Sequence, residues 1–124
     1  MSSLKTTTRA GLLLLLALPA RAEPLEMQFA ACTGRFSALM EHQWLLPDPA
    51  VEQTTRRRAA MISLLEAVMP PDTGREVLAR RIEAKYAQAV LLTRATFNDD
   101  PEDARWAATR AEAAIASCAA LLTG

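Results

Sequence analysis

The chain has 124 residues with 14 basic and 14 acidic side chains, a formal net charge of zero. That length holds one small domain with one core. Residues 1–22 contain Lys5, Arg9 and Arg21 and no acid, so residues 23–124 keep 11 basic and 14 acidic groups, a net charge of −3. A weakly acidic domain lacks the basic field that nucleic acid requires, and nucleic acid is excluded as a partner.

The N-terminus reads as a secretory signal peptide. Lys5 and Arg9 supply a positive start, Gly11 to Leu18 an apolar stretch, and Pro19 a helix break. Ala20-Arg21-Ala22 supplies the small residues of a cleavage site, which predicts cleavage after Ala22 and a mature start at Glu23. The uninterrupted apolar run spans only eight residues, where a spanning helix needs about 20. The expectation is a signal peptide over 1–22, a single domain over 23–124 with no transmembrane segment, and a periplasmic or secreted location. Cys32 lies well past the cut, which argues against a lipidated N-terminus.

In an oxidising compartment Cys32 and Cys118, the two cysteines of the chain, are expected to pair. The bridge would close a loop of 85 intervening residues. The chain-entropy model gives such a loop about 4–5 kcal/mol as an upper value. No Cys-x-x-Cys motif is present and His42 is the one histidine, so a redox or metal role has little basis.

Alanine is abundant and Val plus Ile number only seven, which favours helix over strand. Prolines fall between periodic segments and divide the mature chain into four helices, at about 24–45, 49–69, 73–97 and 101–122. Leu25, Phe29, Cys32, Phe36, Leu39, Gln43 and Leu46 form one seam on the first. Asp48 is expected to cap the second with Pro49 at its first position. Its inward stripe should hold Val51, Ile62, Leu65 and Val68. Thr73 and Glu76 match a capping box for the third helix, with Leu78, Ile82, Ala89 and Leu92 inward. Asp100 and Pro101 open the fourth, whose stripe is Ala104, Ala107, Ala111, Ala114, Cys118 and Leu121. Short loops between four such helices predict an all-α, antiparallel up-down-up-down four-helix bundle.

Pairing Cys32 with Cys118 places Trp44 and Trp106 level with each other, about 18 Å from the bridge. Phe36, Met40 and Trp44 form an i, i+4 ridge, so Trp44 is expected inward and Trp106 exposed. The same topology gathers Asp48, Glu52, Asp99, Asp100, Glu102 and Asp103 at one pole, near His42. Acids in first helical turns are favoured by the helix dipole; together with Trp106 they also make an acidic, aromatic surface for a cationic partner. The stretch Asn98 to Asp103 lacks the glycine and ligand spacing of a calcium loop. A haem would need a Met level with His42, yet Met61 and Met69 lie several turns away, and no c-type attachment sequence follows either cysteine. Arg56, Arg57 and Arg58 fan over about 200° of a helix and cannot form one clamp. Arg56 can pair with Glu52, and Arg58 can lay its stem along the bundle.

No base–orienter pair and no nucleophile turn support catalysis, so the chain reads as non-enzymatic, without cofactor or metal. The expected function is an exported accessory protein of the cell envelope that binds another macromolecule, with a protein as the partner. The candidate surface is Trp106, Asp99, Asp100, Glu102, Asp103 and His42. The alternative is a carrier of a small apolar ligand between the helices, because the small side chains of the fourth helix can leave a cavity.

Overall fold

The computed structural model describes Gly11 and residues 22–123; the rest of the predicted signal peptide, with its predicted cleavage motif except for Ala22, lies outside the described residues. The chain forms an all-α four-helix bundle: α1 (Leu25–Leu45), α2 (Val51–Val68), α3 (Gly74–Thr96) and α4 (Pro101–Ala120). Asp100 caps α4 as its sequence suggests, accepting from the Glu102 and Asp103 amides at 3.0 and 3.4 Å. The other two starts differ from expectation. Asp48 accepts from the Ala50 amide at 2.9 Å and so builds a tight turn, and α2 begins two residues later than expected, at Val51. Thr73 occupies the N-cap position of α3, but its hydroxyl donates back to the Pro70 carbonyl, so the capping box does not form. α4 ends at Ala120, with Leu121 and Leu122 in the turn that follows.

The four helices do not share the core equally. Eleven of the 21 residues of α1 are buried, against three in each of the others, so α1 is the central helix. Its composition allows this. Phe29, Phe36 and Met40 supply bulk, and Ala30, Ala31, Gly34 and Ala38 let neighbours approach closely. The buried hydroxyls of Thr33 and Ser37 donate to carbonyls one turn back, Phe29 and Thr33, at 2.8 and 2.9 Å, so they enter the core satisfied. α1 packs most extensively on α3 and next on α2; α3 holds α4; the contact of α1 with α4 is narrow.

Gly34 sets the α1–α3 crossing. A Cβ at this position would run into the Arg81 carbonyl and come within 2.9 Å of the Lys85 amide, both backbone atoms of α3. The two helices run parallel, since Glu23 meets Arg80 near their starts and His42 meets Thr96 near their ends. This crossing corrects the expected face of α3. Leu78 and Ile82 point outward, Ile82 being 59% exposed, while Val77, Ala84 and Gln88 are buried and Ala89 and Leu92 are half-buried. The face that approaches Gly34 must be low in profile, which turns α3 away from its bulkier stripe. In α2, Met61 and Leu65 fill the core, Val51 and Ile62 are half-buried, and Val68 reaches solvent in the last turn. In α4, Ala107, Ala111 and Cys118 are buried and Ala104 and Ala114 half-buried, while Leu121, in the turn beyond, is exposed.

The Cys32 and Cys118 sulfurs meet at disulfide distance, with their Cα atoms 5.4 Å apart. The bridge therefore lies where α1 and α4 otherwise touch little. A second anchor for α4 is Gln88, only 2% exposed, whose Nε2 donates to the Ala111 carbonyl at 3.1 Å.

Gly34→Ala is expected to destabilise the domain by about 3 kcal/mol or more, because rigid backbone on α3 cannot yield. Gly74→Ala, with nothing within 4 Å of the added Cβ, is expected to be neutral or to stabilise by up to about 1 kcal/mol. Urea unfolding of the two variants checks the contrast; equal midpoints would mean that α1 and α3 do not meet at Gly34.

Candidate functional site

Because α1 and α3 are parallel, their C-termini emerge at the same end, together with the starts of α2 and α4. The predicted surface residues all lie at this pole. His42, in the last turn of α1, shares a 3.0 Å hydrogen bond with Thr96 Oγ1, and its ring meets Phe97 edge-on at 6.4 Å. His42 is thereby tied to the C-terminus of α3. Asp103 is held by Arg94, whose Nε and Nη2 both donate to its carboxylate, and by Asn98 Nδ2 at 2.6 Å. Asp100 is occupied as the α4 cap. Asp99 and Glu102 are exposed at the start of α4.

Trp106 is exposed, as expected, at 51%. Arg94 and Arg110 both lie over its ring, at 5.0 and 5.6 Å from the centroid. Arg94 therefore joins Asp103 to Trp106, pairing with one and stacking on the other. A shallow depression of about 430 Å³ beside the indole is lined by Glu102, Arg105, Trp106, Thr109 and Arg110.

Trp44 does not point inward; it is 60% exposed. Gln43 takes the buried position in the last turn of α1, and Trp44 lies about 100° further round the helix. It borders the turn into α2, with Pro47, Asp48, Pro49 and Val51. The 4–3 spacing of the seam through Phe36, Leu39 and Gln43 prevails there over the i, i+4 ridge. Leu45, Leu46 and Phe97 are also exposed at this pole. Phe97 is a surface residue that the sequence does not reveal: it ends the third periodic segment, and nothing local says which way its ring faces.

The pole carries no metal-binding constellation: among the described residues no three His, Cys, Asp or Glu side chains converge on one point. The Arg run resolves as individual contacts. Arg58 Nε donates to Ser37 Oγ at 2.7 Å, its stem lying on α1, whereas no ion pair joins Arg56 to Glu52 among the described residues. Comparison of the chain with protein-family models, with curated proteins and with solved structures finds no match.

Hydrogen bonds from Arg94, and then Asn98, hold the Asp103 carboxyl below the usual carboxylate range. A carboxyl with a depressed folded-state pKa adds stability above its unfolded value, and that stability is lost as pH falls through the folded value. Asp103 is one-third exposed, so salt screens the contribution. Asp103→Asn is expected to flatten the loss of stability as pH falls below the ordinary aspartate value of about 4, with a smaller difference from the parent in high salt. Thermal unfolding against pH checks this; parallel acid limbs would show that the Arg94 pairing does not persist in solution.

Proposed function

We propose that this chain is an exported, disulfide-stapled accessory protein of the cell envelope, non-enzymatic, which binds a cationic protein partner through the pole formed by the ends of α1 and α3 and the start of α4. One observation carries the reading: Trp44, Leu45, Leu46, Phe97 and Trp106 are all exposed at this single end, among Asp99, Glu102 and the other acids. Large exposed aromatic side chains are the usual anchors of protein interfaces, and neighbouring carboxylates favour a partner of positive charge. Export is supported by the pattern of residues 1–22 and by the Cys32–Cys118 pair. No helix among the described residues is long and apolar enough to cross a membrane.

Truncation of a central aromatic anchor typically costs about 2 kcal/mol, roughly thirtyfold in affinity. Capture from the host's envelope extract by the immobilised protein is therefore expected to fall at least tenfold for Trp106→Ala and for Phe97→Ala, with unfolding midpoints unchanged. The captured partner should be released by moderate salt. Undiminished capture by both variants would remove the pole as the binding surface.

A second reading, a carrier of a small apolar ligand, is favoured by a groove of about 220 Å³ between α1, α3 and α4, lined by Leu39, Leu92, Ala95, Ala108, Ala111 and Ile115 among others. If the groove is a site, Ala108→Leu fills it and abolishes binding of Nile red. Dye binding that survives this change, or is absent from the parent, removes the carrier reading.

A further inference from the structure

Gln88 divides the α3–α4 seam into two grooves, lining both. The second groove, of about 370 Å³, differs from the apolar one in being cationic: Arg35 from α1, Arg80 from α3 and Arg110 from α4 all line it, with Ser117 at one end. Arg80 is already neutralised, by Glu23 at 3.0 Å and by Glu83 at 3.2 Å. Arg35 and Arg110 are not; among the described residues neither has a carboxylate within ion-pair distance.

Arg35 is the unusual member. It is half-buried, and its Nη1 lies 3.7 Å from Cys118 Sγ, a weak acceptor. Burial and the adjacent Arg80 charge both work against its protonated form, with Glu23 opposing them. An arginine nevertheless stays charged in a protein, and a cation drawn out of water is ordinarily held by an anion or by a full set of hydrogen bonds. Here a planar guanidinium with spare donors faces a groove whose other walls combine Ala84, Leu91, Ala113 and Ala114 with the Gln88 amide and with Glu83, whose carboxylate is engaged by Arg80. The groove is large enough for a small organic ligand, and it runs about 10 Å along α4 from Ser117 towards Arg110.

We propose that this groove binds an amphipathic organic anion, with the Arg35 guanidinium holding a carboxylate or phosphate group and the alanine and leucine walls taking a short apolar body. Guanidinium pairs with either oxyanion through parallel N–H donors, and the apolar walls select against an inorganic ion. The inference does not rest on the partner-binding pole: Arg110 is shared with the Trp106 surface, but Arg35, which holds the head group, is not among the residues beside the indole.

Calorimetric titration of the disulfide-intact protein with hexanoate, hexyl phosphate and 1-hexanol tests it. At least one of the two anions is expected to bind ten times more tightly than the alcohol, and the tighter one identifies the head group. Arg35→Gln is expected to weaken that anion at least tenfold, and Arg35→Lys to restore part of the affinity. Should Arg35→Gln fail to fold, Ala113→Trp, which fills the groove from an exposed position, is expected to abolish binding instead. Equal binding of all three compounds, no binding of any, or anion binding untouched in the folded variants would overturn the proposal.

Discussion

The close approach of α1 to α3 at Gly34 is the constraint on which the rest of the architecture depends. It brings backbone against backbone, with the Arg81 carbonyl and Lys85 amide occupying the space a side chain would need. Two helices this close bury each other along a seam of small residues, and α1 is left with its larger side chains, Phe29, Phe36 and Met40, for the remaining sides. Met61 and Leu65 of α2, Val77 of α3 and Cys118 of α4 complete the core around Phe29 and Phe36. Within this central helix the buried hydroxyls of Thr33 and Ser37 are satisfied by carbonyls of α1 itself.

The price of this arrangement falls on α4. It rests chiefly on α3, through a seam of alanines that offers little apolar area per residue, and meets α1 over a narrow strip. The Cys32–Cys118 bridge acts at that strip, and by constraining the unfolded chain it compensates for what the alanines do not bury, by up to about 4–5 kcal/mol in the entropic model. Gln88 acts at the seam itself. Its buried amide fixes α4 at Ala111, and a buried hydrogen bond of this kind tolerates little change of register. The two grooves beside Gln88 follow from the same cause, since small side chains on α4 leave open space wherever α3 does not reach across.

The fold class and the loop positions were legible in the sequence because prolines and the Asp100–Pro101 start act locally, within a turn of where they stand. The pole was legible for the same reason: connectivity alone brings the end of α1 to the start of α2 and the end of α3 to the start of α4. Rotations about helix axes were not legible. Leu78 and Ile82 are larger and more apolar than Ala84 and Gln88, so hydropathy favours them for the core. The outcome is decided by a glycine on a different helix, whose effect on α3 has no local signature. Trp44 fails in a similar way, because a seam and a ridge both pass near it and only the packing of the last turn selects between them. Arg35 carried no sequence signal at all; its significance lies in its half-buried position without an ion pair among the described residues.

The pole combines features that bear differently on binding. Several of its acids are already committed, Asp100 to capping and Asp103 to Arg94 and Asn98, so they are not free to form short contacts with a partner. Their engagement has another consequence. Arg94, fixed by Asp103, lies over the Trp106 ring, and Arg110 lies over it as well. The indole is thus flanked by two guanidinium groups, although half its surface stays open to water. An anchor held in one rotamer loses less conformational entropy on binding than a mobile one. The same logic applies at Phe97, which rests against His42, itself tied to Thr96. Charge at this end therefore serves first to hold aromatic side chains in place, and in the proposed reading the field of the uncommitted acids, Asp99 and Glu102, is what would draw a cationic surface towards them.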